Sequence, residues 1–421
     1  MLASTLYCIE PSMPRAPAPE PTLKRSLSLP LLTLYGVGTT VGAGIYVLIG
    51  KVVGEAGVYA PLSFLLAAAL AGLSALSFAE MSARFPASAG EAVYVQEGLG
   101  RRRLTVLVGL LVVAAGLVSC ATLAHGFVGY MAEFVDLPDA VLLVALVGAL
   151  GLIAGVGITE SVALAAVLTL LEVGGLVAII GGAAFGAAAA PPAPTWTLEA
   201  PLIWTGVLSG AVLAFYAFIG FEDMVNVAEE VKDVRRTLPR AILATLVITS
   251  AFYVAISLIA VAMVPAGLLA ESEAPLALLF ERTTGFAGAP ISVIAILAVL
   301  NGMLIQIIMA ARVLYGMGNR GWLPAVLAHV NPRTRTPLRS TALATAIVLA
   351  LALAFPIVTL AKATSAVALG IFTFVNLSLH RLKSIDPRPH AGFTAPRWLP
   401  LQGAIASAAL LAFELGHGLL G

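Results

Sequence analysis

Charge is scarce in this sequence of 421 residues. Charged residues make up 11% of the chain and hydrophobic residues 60%, and the mean hydropathy is +1.01. A soluble globular domain usually has about 25% charged residues, so the composition predicts a membrane protein that crosses the bilayer several times. The net charge is only +1. The sequence therefore has no excess of basic residues that would indicate a nucleic-acid ligand.

Cysteine is also nearly absent. Two cysteines, Cys8 and Cys120, cannot build a disulfide framework, and the five histidines lie far apart without the short spacing of metal ligands. We therefore expect no cofactor, no metal and no enzyme activity. The proline-rich residues 1–28 lack the apolar core of a secretory signal and are predicted to form a disordered cytoplasmic tail.

Long apolar runs fill the rest of the chain. A bilayer core of about 30 Å needs roughly 20 apolar residues as a helix, and by this measure the sequence predicts an all-α protein with eleven membrane-spanning helices. Their approximate limits are 29–54, 61–83, 104–132, 139–157, 160–182, 204–228, 239–263, 290–317, 340–356, 358–381 and 398–420.

The positions of lysine and arginine set the expected orientation. Of the 23 basic residues, all except Lys51, Arg282 and Lys362 fall in segments on the same side as the N-terminus. Because basic residues concentrate on the cytoplasmic side, we expect the N-terminus inside the cell. An odd number of spans then places the C-terminus outside.

Two of these spans contain signs of an interruption. The first carries five glycines between Gly36 and Gly50, and the sixth contains Gly220 followed by Glu222 and Asp223. Each interior glycine costs a helix about 1 kcal/mol relative to alanine. In a membrane, a broken helix is tolerated where it lines a cavity or binds a ligand. The alternative is that the glycines allow neighbouring helices to pack closely.

Five spans separate the two predicted breaks, so they occupy equivalent positions in two five-helix halves. Because five is odd, the halves must be inverted relative to each other. Interrupted helices at matching positions of an inverted repeat are typical of secondary transporters. The sequence therefore predicts a 5+5 inverted-repeat bundle, residues 29–182 and 204–381, followed by a loop and an eleventh helix in residues 382–421.

Several motifs in this order resemble the amino acid–polyamine–organocation superfamily of transporters. They are residues 41–46, 79–91, 217–242, 311–318 and 321–337. The resemblance implies the fold of a bacterial leucine transporter, transport by alternating access, and an amino acid as the usual substrate.

The resemblance also implies a binding site at the two breaks. The substrate carboxylate would rest on backbone N–H groups of Gly42, Ala43 and Gly44, at the positive end of a half-helix. Its amine would meet backbone carbonyls, and Phe215 or Phe218 could close over it as an outer gate. The expected carbonyl-side residues are Thr40, Val41, Phe215 and Phe218, with Gly220 at the second break.

Two carboxylates are candidates for coupling transport to protons, because ionisable residues inside a membrane are costly and usually functional. Glu172 lies where some proton-coupled relatives have a lysine, and Glu222 directly follows the second break. For Glu172 the alternatives are a position closer to the end of its helix or an ion pair with a basic residue. For Glu222 the alternative is a polar cluster at a helix end. Glu80 and Arg84, four residues apart, are predicted to form a structural pair.

The resulting hypothesis is a proton-coupled or exchange-type amino acid transporter of the cytoplasmic membrane, with neutral amino acids as substrates. The alternative is a cationic amino acid or polyamine transporter, and Glu222 could supply the carboxylate that such a substrate needs. A channel and a membrane-embedded enzyme are remote alternatives. Sodium coupling is not favoured, because the middle of the eighth span offers only Asn301 and Gln306 as side-chain oxygens.

Overall fold

A computed structural model describes residues 27–86, 90–156, 162–185, 203–319, 321, 323–386 and 392–420. Almost the whole predicted tail, residues 1–28, lies outside this part of the chain. The described residues are helical and contain no β-strand beyond one isolated bridge, between Leu27 and Val231.

Long helices, joined by short turns, account for most of the described chain. The α-helices are α1 (Leu29–Ala56), α2 (Ala60–Arg84), α3 (Gly90–Leu99), α4 (Arg102–Met131), α5 (Asp139–Val156), α6 (Val162–Phe185), α7 (Trp204–Phe218), α8 (Val234–Met263), α9 (Ala266–Glu271), α10 (Pro275–Thr284), α11 (Ala289–Asn319), α12 (Leu338–Ala354), α13 (Ile357–Ile385) and α14 (Leu399–Leu420).

The described part of the chain has nine stretches that are long and apolar enough to cross a membrane. This confirms an all-helical protein of the multi-pass membrane class. A helix overlaps each of the eleven predicted segments, and the short helices α3, α9 and α10 lie between them. The number of crossings, the inverted repeat and the orientation of the termini stay predictions.

Helix α1 lies at the centre of the bundle. It packs against α6, α7, α8 and α9, while α2 packs on α8 and α4 packs on α11 and α13. Large side chains in its second half, such as Ile45 and Tyr46, are fully buried. Peripheral helices differ: Leu152 of α5 is 74% exposed, as expected for a side chain that faces lipid.

Helix α13 is bound by an ion pair at each of its ends. Near its start, Lys362 Nζ lies 3.0 Å from Glu55 Oε1 of α1. Near its end, Lys383 Nζ lies 2.6 Å from Glu80 Oε2 of α2, and Arg84 Nη2 lies 2.6 Å from the other oxygen of Glu80. The predicted Glu80–Arg84 pair is therefore confirmed, and Lys383 extends it to a second helix.

Candidate substrate site

The chain breaks its helical path at the end of α7. The helix stops at Phe218, and a 3₁₀ segment, Glu222–Glu230, follows. Between them Gly220 has φ of +127°, a conformation that only glycine adopts easily. A Cβ added there would lie 2.4 Å from the carbonyl oxygen of Thr39 in α1. The predicted interruption of the sixth span is confirmed.

Helix α1 extends from Leu29 to Ala56, so the structure gives no support to the predicted break in the first span. Its glycines instead face close neighbours. A Cβ added at Gly36 would lie 2.4 Å from Met224 Sδ, one at Gly38 would lie 2.0 Å from Thr169 Oγ1, and one at Gly44 would lie 2.8 Å from the Ala217 Cα. The glycines of α1 thus permit close helix packing, which was the alternative interpretation.

Hydroxyl groups join α1 to α7 at the level of this contact. The hydroxyl of Tyr253, from α8, lies 2.7 Å from the Thr40 carbonyl and 2.8 Å from the Ala217 carbonyl. Thr39 donates from Oγ1 to the carbonyl of Gly220 at 3.1 Å. The break after α7 is therefore held against α1, and the carbonyls of Ala217 and Gly220 accept hydrogen bonds from Tyr253 of α8 and Thr39 of α1.

A cavity of about 70 Å³ lies beside the break, between α1, α4, α6, α7 and α11. Among the residues that line it in the described part of the chain, Asp223 is the one acidic side chain, and no basic side chain takes part. Most other polar groups are hydroxyls and amides, which can both donate and accept hydrogen bonds. They come from Tyr35, Thr39, Thr40, Ser119, Thr169, Tyr216, Asn301 and Gln306.

A second cavity, of about 40 Å³, adjoins the first and shares Asp223 with it. It adds the carboxylates of Glu91 and Glu222 to the lining. Glu222 Oε2 accepts a hydrogen bond of 2.9 Å from the backbone N–H of Gly220. Burial, together with the nearby charge of Asp223, raises the pKa of Glu91 in the short helix α3 to about 7.

The structure places only some of the predicted binding residues at the first cavity. Thr40 and Gly44 line it. Val41 is fully buried in α1. The rings of Phe215 and Phe218 are also fully buried, and neither lines the cavity.

Aromatic packing accounts for the position of these two rings. Phe215 packs edge-on to Phe372 at 5.6 Å and Phe218 to Tyr253 at 4.9 Å between ring centroids. The residues of α7 and its break that do line the cavity are Tyr216 and Ile219. Tyr216 is fixed by a hydrogen bond of 2.9 Å between its hydroxyl and that of Ser119.

The two predicted coupling residues occupy different places. Glu222 lines the second cavity, whereas Glu172 lines neither. Glu172 is 2% exposed in α6, and its Oε2 has no hydrogen-bond partner among the described residues. Its backbone carbonyl accepts a hydrogen bond of 2.6 Å from the hydroxyl of Tyr46. The interaction of Glu172 with α1 is thus made by its main chain.

Sequence reasoning missed three groups at the site. Tyr253 bridges α1 and α7, Glu91 lines the second cavity, and Tyr216 lines the first. The one signal for Tyr216 was its place beside the predicted break. Neither Glu91 nor Tyr253 belongs to an interrupted span, so the sequence carried no sign that they meet the break.

A bundle of membrane-crossing helices with a polar cavity at an interrupted helix is typical of membrane transporters. The profile of one family, described as amino acid permease, matches residues 27–413 of this chain. The chain belongs to the amino acid permease family, and amino acid transport is the function of the class.

Individual relatives differ in the substrate that their names state. The chain is 27% identical to the branched-chain amino acid permease BcaP of Bacillus subtilis, over 94% of this chain and 89% of the relative. It is 28% identical to the methylthioribose transporter of the same organism, over 93% and 88%. It is 30% identical to cationic amino acid transporter 9, chloroplastic, of Arabidopsis thaliana, over 74% of this chain but 58% of that protein's length.

Proposed function

We propose that this protein is a secondary active transporter of neutral amino acids in the cytoplasmic membrane, coupled to protons or working by exchange. Substrate binds in the cavity beside the α7 break, which alternately opens to the two sides of the membrane. The observation that carries the proposal is the composition of this cavity, with one carboxylate, no basic side chain and a set of neutral hydrogen-bonding groups among its described residues.

The amine of the substrate is assigned to the side of the cavity formed by the α7 break. Asp223 offers a negative charge there, and the C-terminal end of α7 adds the partial negative charge of its last carbonyl groups. In this proposal the carbonyls of Phe215 and Phe218 contribute through the backbone alone, because their rings are packed elsewhere.

The carboxylate of the substrate needs hydrogen-bond donors on the opposite side. Within a continuous α1, the N–H groups of Gly42, Ala43 and Gly44 serve the helix itself, so they would form the predicted cradle only if α1 opened locally. Thr40 and Asn301 line the cavity and can donate without such a change. We propose that these side chains meet the carboxylate while α1 remains continuous.

The proposed transport cycle uses eleven crossings, an inverted 5+5 repeat and a cytoplasmic N-terminus. Cavity-lining residues of α1 lie between Tyr35 and Gly44, in the half nearer the N-terminus, whereas Ile45 to Val53 are largely buried. The cavity is therefore nearer to the side on which most of the basic residues concentrate. This supports a state that faces the cytoplasm.

Proton coupling is assigned to the carboxylates that the bundle encloses. Glu172 has an oxygen without a hydrogen-bond partner among the described residues, in a buried, membrane-embedded position where an unpaired charge is costly. Glu222 lines the second cavity, which shares Asp223 with the substrate cavity. We propose that Glu222 exchanges a proton with the transport site and that Glu172 carries one without touching the substrate.

The decisive experiment is uptake into proteoliposomes, with a competition panel of the twenty amino acids and common polyamines, repeated with and without a pH gradient. Neutral amino acids should compete, and a preloaded substrate should stimulate uptake from the other side. Saturation and this stimulation distinguish a carrier from a channel. Uptake that neither saturates nor responds to internal substrate would contradict the proposal.

Two variants test substrate binding and proton coupling separately. Asp223→Asn should weaken apparent substrate affinity by about tenfold or more, since a hydrogen bond to a charged group contributes about 1.5–3 kcal/mol. Glu172→Gln should remove the response to the pH gradient. The matched control is Asp139→Asn at an exposed position in α5, which should change neither. A gradient response that survives Glu172→Gln would exclude the coupling role of Glu172.

A cationic amino acid or polyamine is the second candidate, and the carboxylate of Asp223 in the cavity is the observation that favours it. The panel separates the two candidates directly. If lysine, arginine or a polyamine competes better than every neutral amino acid, Asp223 serves the side-chain cation and the neutral assignment is wrong.

A further inference from the structure

A groove of about 580 Å³ lies where the turn between α3 and α4 meets the C-terminal part of α13. We call it the arginine groove. It is lined by Leu99, Gly100, Arg101, Leu104 and Arg381. It is separate from the two cavities at the α7 break, with which it shares no lining residue.

Two arginine side chains line this groove, Arg101 from the turn before α4 and Arg381 from α13. Arg381 is held in place because its Nη1 donates a hydrogen bond of 2.6 Å to the carbonyl of Leu99. Arg101 is exposed. Among the residues that the structure describes, no carboxylate lies within 4.0 Å of either side chain. The groove thus brings two cations together without an internal counter-ion in that part of the chain.

Helix stability does not explain these charges. Arg101 precedes the first turn of α4, and Arg102 and Arg103 begin the helix. The N-terminal end of a helix carries a partial positive charge, so cations there are unfavourable. Arg101, at this end of α4, therefore adds to a positive potential that favours a bound anion.

The surroundings of the groove are apolar as well as basic. Leu99 and Leu104 line it. Farther along α4, Leu107 is 43% exposed and Leu110 is 37% exposed. They follow Arg103 at spacings of four and seven residues, which places all three on one face of the helix. An anionic head and an apolar tail would both find partners here.

We propose that the arginine groove binds the phosphate of an anionic phospholipid, with an acyl chain lying along Leu107 and Leu110. Basic pockets between helices at the cytoplasmic face are suited to such headgroups. This site follows from the groove itself and does not depend on the identity of the transported substrate.

The test is native mass spectrometry of the full chain in detergent, with dioleoylphosphatidylglycerol or dioleoylphosphatidylcholine added at equal concentration. The wild type should retain the anionic lipid preferentially. The double variant Arg101→Gln/Arg381→Gln should lose about 30-fold in affinity for it, as expected for two arginines at a lipid surface. Affinity for phosphatidylcholine should not change.

Three controls make the outcome decisive. Arg333→Gln/Arg339→Gln removes two exposed arginines elsewhere and should retain the preference, whereas an equal loss there would show only a general charge effect. Arg101→Lys/Arg381→Lys keeps the charge and should retain most of the binding, so a folding defect is recognised. If inorganic phosphate alone displaces the lipid, the groove is a site for small anions and the proposal of a lipid site is wrong.

Discussion

The two glycine-containing spans in contact at the centre of the bundle, α1 and α7, show opposite uses of the same residue. Just after α7, Gly220 has a positive φ at the point where the helical path has ended. In α1, Gly38 and Gly44 remain helical and let neighbouring atoms approach. A glycine within an apolar span thus indicates either a positive φ or a close contact between helices. In this structure the break after α7 lies against the backbone of Thr39 in α1.

The largest effect should come from Gly220→Ala. A residue other than glycine at this φ costs about 1–3 kcal/mol, and the new Cβ would meet the backbone of Thr39, which cannot rotate away. Substrate uptake should fall by about tenfold or more. Gly148→Ala is the control, because no described atom lies within 4 Å of a Cβ added at Gly148. Normal uptake by Gly220→Ala would show that the break needs no special backbone conformation.

Gly44→Ala should have the next largest effect. The added Cβ would lie 2.8 Å from the Ala217 Cα, so α1 and α7 would have to separate. Overpacking of this kind typically costs about 1–3 kcal/mol. We expect a lower midpoint of thermal unfolding in detergent, with α1 still helical by circular dichroism. An unchanged midpoint would mean that close packing is not the role of this glycine.

Gly38→Ala should reduce stability less, and a second substitution should restore part of the loss. Its Cβ would meet Thr169 Oγ1 at 2.0 Å, and a side chain can move where a backbone cannot. Thr169→Ala removes that oxygen. In a double-mutant cycle measured by unfolding, the two substitutions should be coupled by about 0.5 kcal/mol or more, with the double variant more stable than Gly38→Ala. If the two changes in stability were strictly additive, the effect of Gly38→Ala would not arise from contact with Thr169.

Tyr253→Phe should have the smallest effect. It removes the hydroxyl that lies between the carbonyls of Thr40 and Ala217. The ring, and with it the edge-on contact with Phe218, is kept. The expected loss of stability is about 0.5–1.5 kcal/mol, as for one hydrogen bond. Chemical unfolding in micelles measures it. A loss larger than that of Gly44→Ala would mean that the hydroxyl bridge, and not close packing, chiefly holds α1 to α7.

Much of the fold could be predicted because long apolar runs are a strong local signal. The break at Gly220 was also predictable, since Glu222 and Asp223 follow it directly and cannot continue a helix into lipid at low cost. The helical course of α1, in contrast, could not be predicted from the sequence. Whether a glycine interrupts a helix or allows a neighbour to pack closely depends on the atoms that it faces. The atoms that face Gly38 belong to α6.

The same limit applies to the site. Thr40 and Gly44 could be placed at the cavity from the motif in the first span. The rings of Phe215 and Phe218 could not be oriented, because helical spacing alone does not say which face meets Phe372 and Tyr253. Glu91 lies on a short helix outside the predicted spans, so its approach to Asp223 follows only from tertiary packing.

The ion pairs at the two ends of α13 are buried to different degrees. The side chains of Lys362 and Glu55 are 18% and 33% exposed, whereas those of Lys383 and Glu80 are 7% and 1% exposed. A solvated pair contributes about 0–1 kcal/mol, while breaking a buried pair costs about 3–5 kcal/mol. We therefore expect the Lys362 end of α13 to loosen from α1 before the Lys383 end loosens from α2.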